Sequence, residues 1–199
     1  NMDLLSLMRS ARRLLEPHWI VAVGVCLTYA LLVGIPAELN TYGELLSLLL
    51  AGPLQLGMSI YFLNLVRGNP PRLEQLFDGF KPLVSVLLMY ATISLLTLIG
   101  LVFLIVPGIM IAVGLSMSFY ILSEDPELSF QAVLQKSWKL TDGYKMELFL
   151  LNLRFIPWFL LGILCLLVGV FVVAAWHNTT LALYYQYLKE QQQKSFADV

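Results

Sequence analysis

The chain has 199 residues, 59% of them hydrophobic and 13% charged, against roughly 45–50% and about 25% in an average soluble domain. With a mean hydropathy of +0.79 the excess runs along most of the chain, which excludes an ordinary soluble protein and, at about 20 residues per span, leaves room for six spans and no large soluble domain. The formal net charge of −1, from 12 Lys and Arg against 13 Asp and Glu, gives no overall attraction to nucleic acid, so the information lies in where the few charges sit.

Leu4, Leu5, Leu7, Met8, Ala11, Leu14 and Leu15 fall on one half of a helical wheel and Arg9, Arg12 and Arg13 on the other, the pattern of a helix lying on a membrane surface. Pro17 and His18 end it. Span one runs over 19–35, opened by Trp19 as an interfacial aromatic. Its apolar run is too long for a leader's core and no small-x-small site follows, so it reads as a retained span. The next link carries Glu38 and Glu44 and no Lys or Arg. Span two, about 45–66, contains Gly52-Pro53 and delivers the chain to Arg67. Gly68-Asn69-Pro70-Pro71 is a turn. Arg72 to Phe80, with Leu73, Leu76, Phe77 and Phe80 at helical spacing, predicts a short interfacial helix. Span three, about 83–106, follows Lys81-Pro82. Pro107-Gly108 then reverses the chain into span four, about 108–122, which covers about 22 Å of a hydrocarbon core about 30 Å thick.

Asp125 as N-cap, Pro126 at the first helical position and Glu127 in the first turn predict a second, longer surface helix reaching Asp142, with Gly143 as its stop. Leu128, Ala132, Val133, Trp138 and Leu140 form its apolar side, and Gln131, Gln135, Lys136 and Lys139 face away. Span five, about 148–168, contains Pro157, and span six, about 170–188, follows a turn near Gly169. The expected fold is all-α: one polytopic membrane domain over 1–199, with six transmembrane helices, an amphipathic N-terminal helix and two cytoplasmic interfacial helices.

Under this threading, eleven of the twelve basic residues lie on one side: Arg9, Arg12 and Arg13, then Arg67, Arg72 and Lys81, then Lys136, Lys139 and Lys145, then Lys189 and Lys194. The opposite links hold none, so the positive-inside rule predicts that both termini are cytoplasmic. The twelfth, Arg154, lies nine residues beyond Lys145, about 13 Å into the membrane on a continuous helix. The links also echo one another. Gly52-Pro53, a span, Asn69-Pro70, a surface helix and Gly79-Phe80-Lys81 are matched by Pro107-Gly108, a span, Asp125-Pro126, a surface helix and Gly143-Tyr144-Lys145. A genuine repeat of this kind would be parallel, about an axis along the membrane normal. The alternative is that any cytoplasmic link between two spans needs a turn, a cap and a basic re-entry residue.

No catalytic motif is present: no His-Glu-x-x-His, no Gly-x-Ser-x-Gly, no phosphate-cradling glycine loop and no Cys-x-x-Cys. An enzyme, a metal and a cofactor are therefore not expected. Cys26 and Cys165 each sit inside an apolar run and read as packing residues. Glu124, Asp125 and Glu127 are explained by capping and the helix dipole rather than by a cation site. Asn178-Thr179-Thr180 matches a glycosylation sequon but lies inside a span. What remains is intramembrane polarity, a functional-site signal by default. Arg154 could meet Asn152, Asn64, Glu147 or a lipid phosphate, or snorkel to the headgroups. Gln55 and Ser59 in span two, with His177, Asn178, Thr179 and Thr180 in span six, could be interhelical glue worth about 1 kcal/mol or less per bond, or a path for a ligand or a proton. An imidazole can change its charge near neutral pH, which would make His177 a proton carrier, but a lone His without a nearby intramembrane carboxylate is a weak relay. Gln55, Asn64, Arg154, His177 and Asn178 are thus the candidate ligand- or lipid-binding residues.

The series Gly52-Pro-Leu-x-Leu-Gly57, Leu76-Phe77-x-Gly79-Phe80-Lys81, Val106-Pro-Gly-Ile109, Asp125-Pro-Glu-Leu128, Lys136-Ser-Trp-x-Leu140, Gly143-Tyr-Lys145 and Tyr184-Tyr185 resembles a bacterial integral-membrane family filed as a domain of unknown function (nine-seventy-five). The Pro-Gly-Ile and Ser-Trp-x-Leu-Thr elements are also similar to the membrane domain fused to some glycerophosphodiester phosphodiesterases. The family often carries Pro-Tyr where this chain has Ala175-Trp176. The resemblance implies the six-span fold and a bacterial cytoplasmic membrane, and brings no activity with it. The first functional expectation is a non-enzymatic factor that binds a membrane lipid or another membrane protein, because nearly all the polar mass is cytoplasmic and interfacial. The second is a small transporter or channel, in which Gln55, Arg154, His177 and Asn178 would face a common water-accessible cavity. A lipid-processing enzyme ranks third.

Overall fold

Uncharged stretches rich in Leu, Ile, Val and Phe satisfy their backbone polar groups without water only as helices, and helices are what form. A computed structural model describes residues 3–39, 41–103, 105–164 and 168–197, and no strand occurs among them. In chain order they are α1 (Leu4–Leu15), a 3₁₀ turn (Glu16–His18), α2 (Trp19–Leu39), α3 (Thr41–Val66), α4 (Gln75–Asp78), α5 (Leu83–Phe103), α6 (Ile105–Leu115), α7 (Ser118–Glu124), α8 (Phe130–Leu140), α9 (Lys145–Leu164) and α10 (Val168–Ala197). Five helical stretches are long and apolar enough to cross a membrane: Leu4–Glu38, Tyr42–Val66, Leu83–Gly100, Pro107–Glu124 and Lys145–Leu164. The chain is accordingly a membrane protein.

α10 is not among the five, although it is the longest helix, and its surroundings explain why. It packs against α1, α2, α3 and α9, and it buries Val173, Ala175, Thr179, Thr180, Ala182, Tyr184, Tyr185 and Leu188. A helix enclosed by protein need not be apolar all round, provided its polar side chains are bonded. Thr179 and Thr180 donate to the carbonyls of Ala175 and Trp176, and Asn178 to that of Ala174, each 2.8–2.9 Å away. α9 is the opposite case: Leu150, Leu153, Ile156, Leu160, Leu161, Ile163 and Leu164 all point outward.

Several local expectations change. The apolar face of α1, expected on a membrane surface, is buried against α10 and α3, with Ala11 and Leu15 fully covered. α2 continues through Pro36 to Leu39, and α10 runs nine residues past the expected end, to Ala197. The surface helix expected over Arg72 to Phe80 contracts to the single turn α4. Span four is two helices, α6 and α7, parted at Ser116 and Met117.

The helix expected to start at Asp125 starts at Phe130 and ends at Leu140. Its N-cap is Ser129, in extended conformation, which accepts a hydrogen bond from the Ala132 N–H. Asp125 instead closes α7 at φ −126°, and its carboxylate takes up Lys136 at 3.2 Å. The Asp-Pro pair is consumed by the turn, so the next residue able to cap, Ser129, does so. Gly143 does lie in the stop after α8, at φ +79°. Cys165 lies outside the described residues.

Candidate functional site

The structure separates the polar residues that the sequence groups together. His177 points inward from α10 and its Nε2 meets the Asn152 Oδ1 of α9 at 2.8 Å, with the rings of Phe155 and Phe159 beside it. Asn152 is in turn tied to the Leu148 carbonyl. Asn178 is spent on its own helix, and its backbone carbonyl accepts from the Tyr120 hydroxyl at 3.3 Å. Gln55 is half-buried on α3, and its backbone carbonyl accepts from Ser59 at 3.1 Å. Asn64 sits at the end of α3, where it accepts from Asn69 at 3.3 Å and lines a shallow cavity of about 430 Å³ with Arg72, Glu74, Gln75 and Asp78. Arg154 is exposed on α9 between Leu150, Leu153 and Ile156, with no hydrogen bond or ion pair to any described residue. Asn152 and His177 are brought together; Gln55, Asn64 and Arg154 join neither that pair nor one another. Three buried hydroxyls, on Tyr61, Thr97 and Ser118, have no partner among the described residues.

The densest charge arrangement lies elsewhere. α3 and α7 finish near one another against α10, and the Glu124 carboxylate, 12% exposed, binds the Arg67 guanidinium, the Lys189 ammonium at 2.8 Å and the Tyr185 hydroxyl at 2.5 Å. The Tyr185 ring stacks on Tyr120 at 5.4 Å, which fixes α10 against α7. One carboxylate thus takes two cations from residues 57 and 65 positions away in sequence. Burial, then the Arg67 and Lys136 cations, lower the Lys189 pKa from its ordinary value, against the pull of the Asp125 carboxylate. Capping alone does not account for Glu124. Its role depends on a meeting of helices distant in sequence, which sequence periodicity does not report.

A second element missed by sequence is the seat of α8. Gly114 of α6 faces the Trp138 ring, and a Cβ there would come within 2.6 Å of it. The Ser137 and Thr141 hydroxyls both donate to the Gly114 carbonyl, at 2.9 and 3.1 Å, from fully buried positions. The Lys145 ammonium lies over the Trp138 ring, 3.6 Å from its centre. Two hydroxyl residues four apart on the apolar side of α8 were the available signal. A third element is Trp176, whose ring meets Phe155 and Trp158 of α9 edge to face and whose Nε1 donates to the Met8 carbonyl of α1 at 2.8 Å.

Among the described residues no group of three His, Cys, Asp or Glu side chains is placed to hold a metal ion. What the arrangement does chemically is fasten helices and present cations. The family model described as "Protein of unknown function (DUF975)" matches residues 101–192, so from the end of α5 into α10 the chain is similar to that family. No curated protein and no solved structure matches the chain.

Proposed function

Proceeding from that likeness, we propose that the chain is a six-span, non-enzymatic binding protein of a bacterial cytoplasmic membrane, which holds a membrane lipid or docks a partner protein. In this reading α10 is the sixth span, enclosed by the other helices, and both termini lie on the cytoplasmic side with the basic links. The observation that carries it is the separation of the polar residues. His177 is closed off by Asn152 and two phenylalanines, Arg154 faces outward, and Asn64 lies at a helix end. A conduction path needs such groups along one water-accessible line, whereas a binding surface needs free charge on the outside. The supply is there: Arg9, Arg12, Arg13, Arg72, Lys139 and Arg154 are exposed without an acidic partner among the described residues.

Native mass spectrometry of the gently extracted full chain tests this reading. A retained lipid or a second chain supports it; a bare monomer over a range of detergents overturns it. The threading is tested separately by cysteine labelling, in which Lys81→Cys and Lys145→Cys react from the cytoplasmic face. Labelling from outside alone would reverse the orientation.

A further inference from the structure

Trp176 fixes which elements lie beside Arg154. On α10 Trp176 and His177 are neighbours, and α9 receives them on either side of Phe155, whose ring touches both: His177 by Asn152 and Phe159, Trp176 by Trp158. Arg154 and Trp158 are four residues apart and therefore share a row on the helix surface, so Arg154 lies on the Trp176 flank. The same indole reaches α1 through the Met8 carbonyl. α1 therefore lies on that flank, with its apolar face turned into the bundle and Arg9, Arg12 and Arg13 turned out. Arg12 stands one turn beyond Met8 on the same row. Arg154 thus does not lie alone about 13 Å below Lys145: a helix carrying three more arginines is pinned at its level.

We infer that α1 and α9 form a basic notch over Trp176, with Arg12 and Arg154 on its two walls, that holds the phosphodiester headgroup of an anionic phospholipid. This rests on the lipid-holding form of the function proposed above and names the class of lipid. The acidic groups of these elements do not neutralise the notch: Asp3 caps the Leu5 N–H at 3.1 Å, Glu147 accepts from the Tyr184 hydroxyl at 3.3 Å, and Glu16 is an exposed single charge against four arginines. Planar guanidinium groups match phosphate oxygens bidentately, and the exposed leucines around Arg154 and Leu5 of α1 offer contact to the acyl chains. A zwitterionic headgroup brings its own cation into the same space and is disfavoured.

The test adds phosphatidylglycerol or phosphatidylcholine to the purified full chain in detergent and counts retained lipid by native mass spectrometry. The expected result is preferential retention of phosphatidylglycerol, reduced roughly tenfold by Arg12→Gln and by Arg154→Gln and less by Arg154→Lys, which keeps the charge and loses the fork. Lys81→Gln, in the link before α5 and already paired with Asp78 at 2.9 Å, leaves retention unchanged. Because the Arg12 and Arg154 side chains have no hydrogen-bond or ion-pair partner among the described residues, the variants should keep the wild-type elution profile and helical content. Undiminished retention in the Arg12→Gln/Arg154→Gln double variant overturns the notch while leaving lipid binding standing. An equal loss from Lys81→Gln reduces the effect to general attraction and also overturns it. Failure of the wild type to retain either lipid overturns the notch and the lipid-holding reading together.

Discussion

The two links that echo one another in sequence fold back onto their preceding helices in the same manner but are seated by different means. In the first, α4 lies against α3 backbone to backbone. A Cβ on Gly57 would strike the main chain of Leu76, and one on Gly79 the Pro53 carbonyl. In the second, α8 lies against α6 through side chains, the Trp138 ring over Gly114 and the Ser137 and Thr141 hydroxyls on its carbonyl. A link that docks by backbone needs no helix of its own and keeps one turn. A link that docks by side chains needs a helix to hold them in register, and it has an 11-residue helix with a serine cap. One requirement, a glycine that lets the link come close, is met by two kinds of contact.

The difference predicts unequal tolerance. Gly57→Ala forces two backbones apart and has no flexible neighbour to absorb it, so it should cost about 3 kcal/mol or more, read as loss of folded protein after heating in detergent micelles. Gly79→Ala should behave alike. Gly114→Ala meets a ring that is 41% exposed and free to turn outward, so about 2 kcal/mol is expected, accompanied by blue-to-red movement of tryptophan emission as Trp138 leaves its seat. Equal costs at Gly57 and Gly114 would break the comparison.

The two units meet at corresponding points, for Arg67 closes the helix before the first link and Glu124 the helix before the second. Glu124→Gln leaves Arg67 and Lys189 facing one another without a counterion. Both cations are more than a third exposed, so water takes up much of the loss and about 1–2 kcal/mol is expected. The double variant Glu124→Gln/Lys189→Gln should recover part of it, which a thermal unfolding series in matched detergent would show. A double variant as unstable as the sum of the two singles would mean that the cluster is not a coupled unit.

Much of this was legible in the sequence and some was not, for definable reasons. α1 ends where its arginine and leucine rows end, α5 opens after Lys81-Pro82, and Gly143 stops the chain after α8, because these signals act within one or two turns. Asp125 misled because Asp-Pro can open a helix or close a turn, and only the position of Ser129 relative to the packed face of α8 decides between them. α1 looked like a surface helix because an apolar stripe is the same whether lipid or α10 covers it. The ties of Glu124 to Arg67 and of Trp176 to Met8 are not legible there, since those partners lie 57 and 168 residues away in sequence and no periodicity carries that distance. Arg154 was singled out by its depth, but what lies beside it depends on where Trp176 ties α1.

The smallest expected effect isolates backbone from packing. Each link contains one glycine at positive φ, Gly68 at +74° and Gly143 at +79°, and a Cβ on either would meet nothing within 4 Å. An alanine at these positions meets no neighbour and suffers only the left-handed conformation, which costs roughly 1–2 kcal/mol, offset in part by the narrower freedom of the unfolded chain. Gly68→Ala and Gly143→Ala should therefore each lower stability by about 1 kcal/mol and agree with one another within a few tenths. Parallel thermal unfolding of the two variants checks this. If the costs agree while those at Gly57 and Gly114 differ, the two units differ in how their links are seated and not in how their chains turn. A much larger loss at Gly143 would place the difference in the turn from α8 into α9 instead.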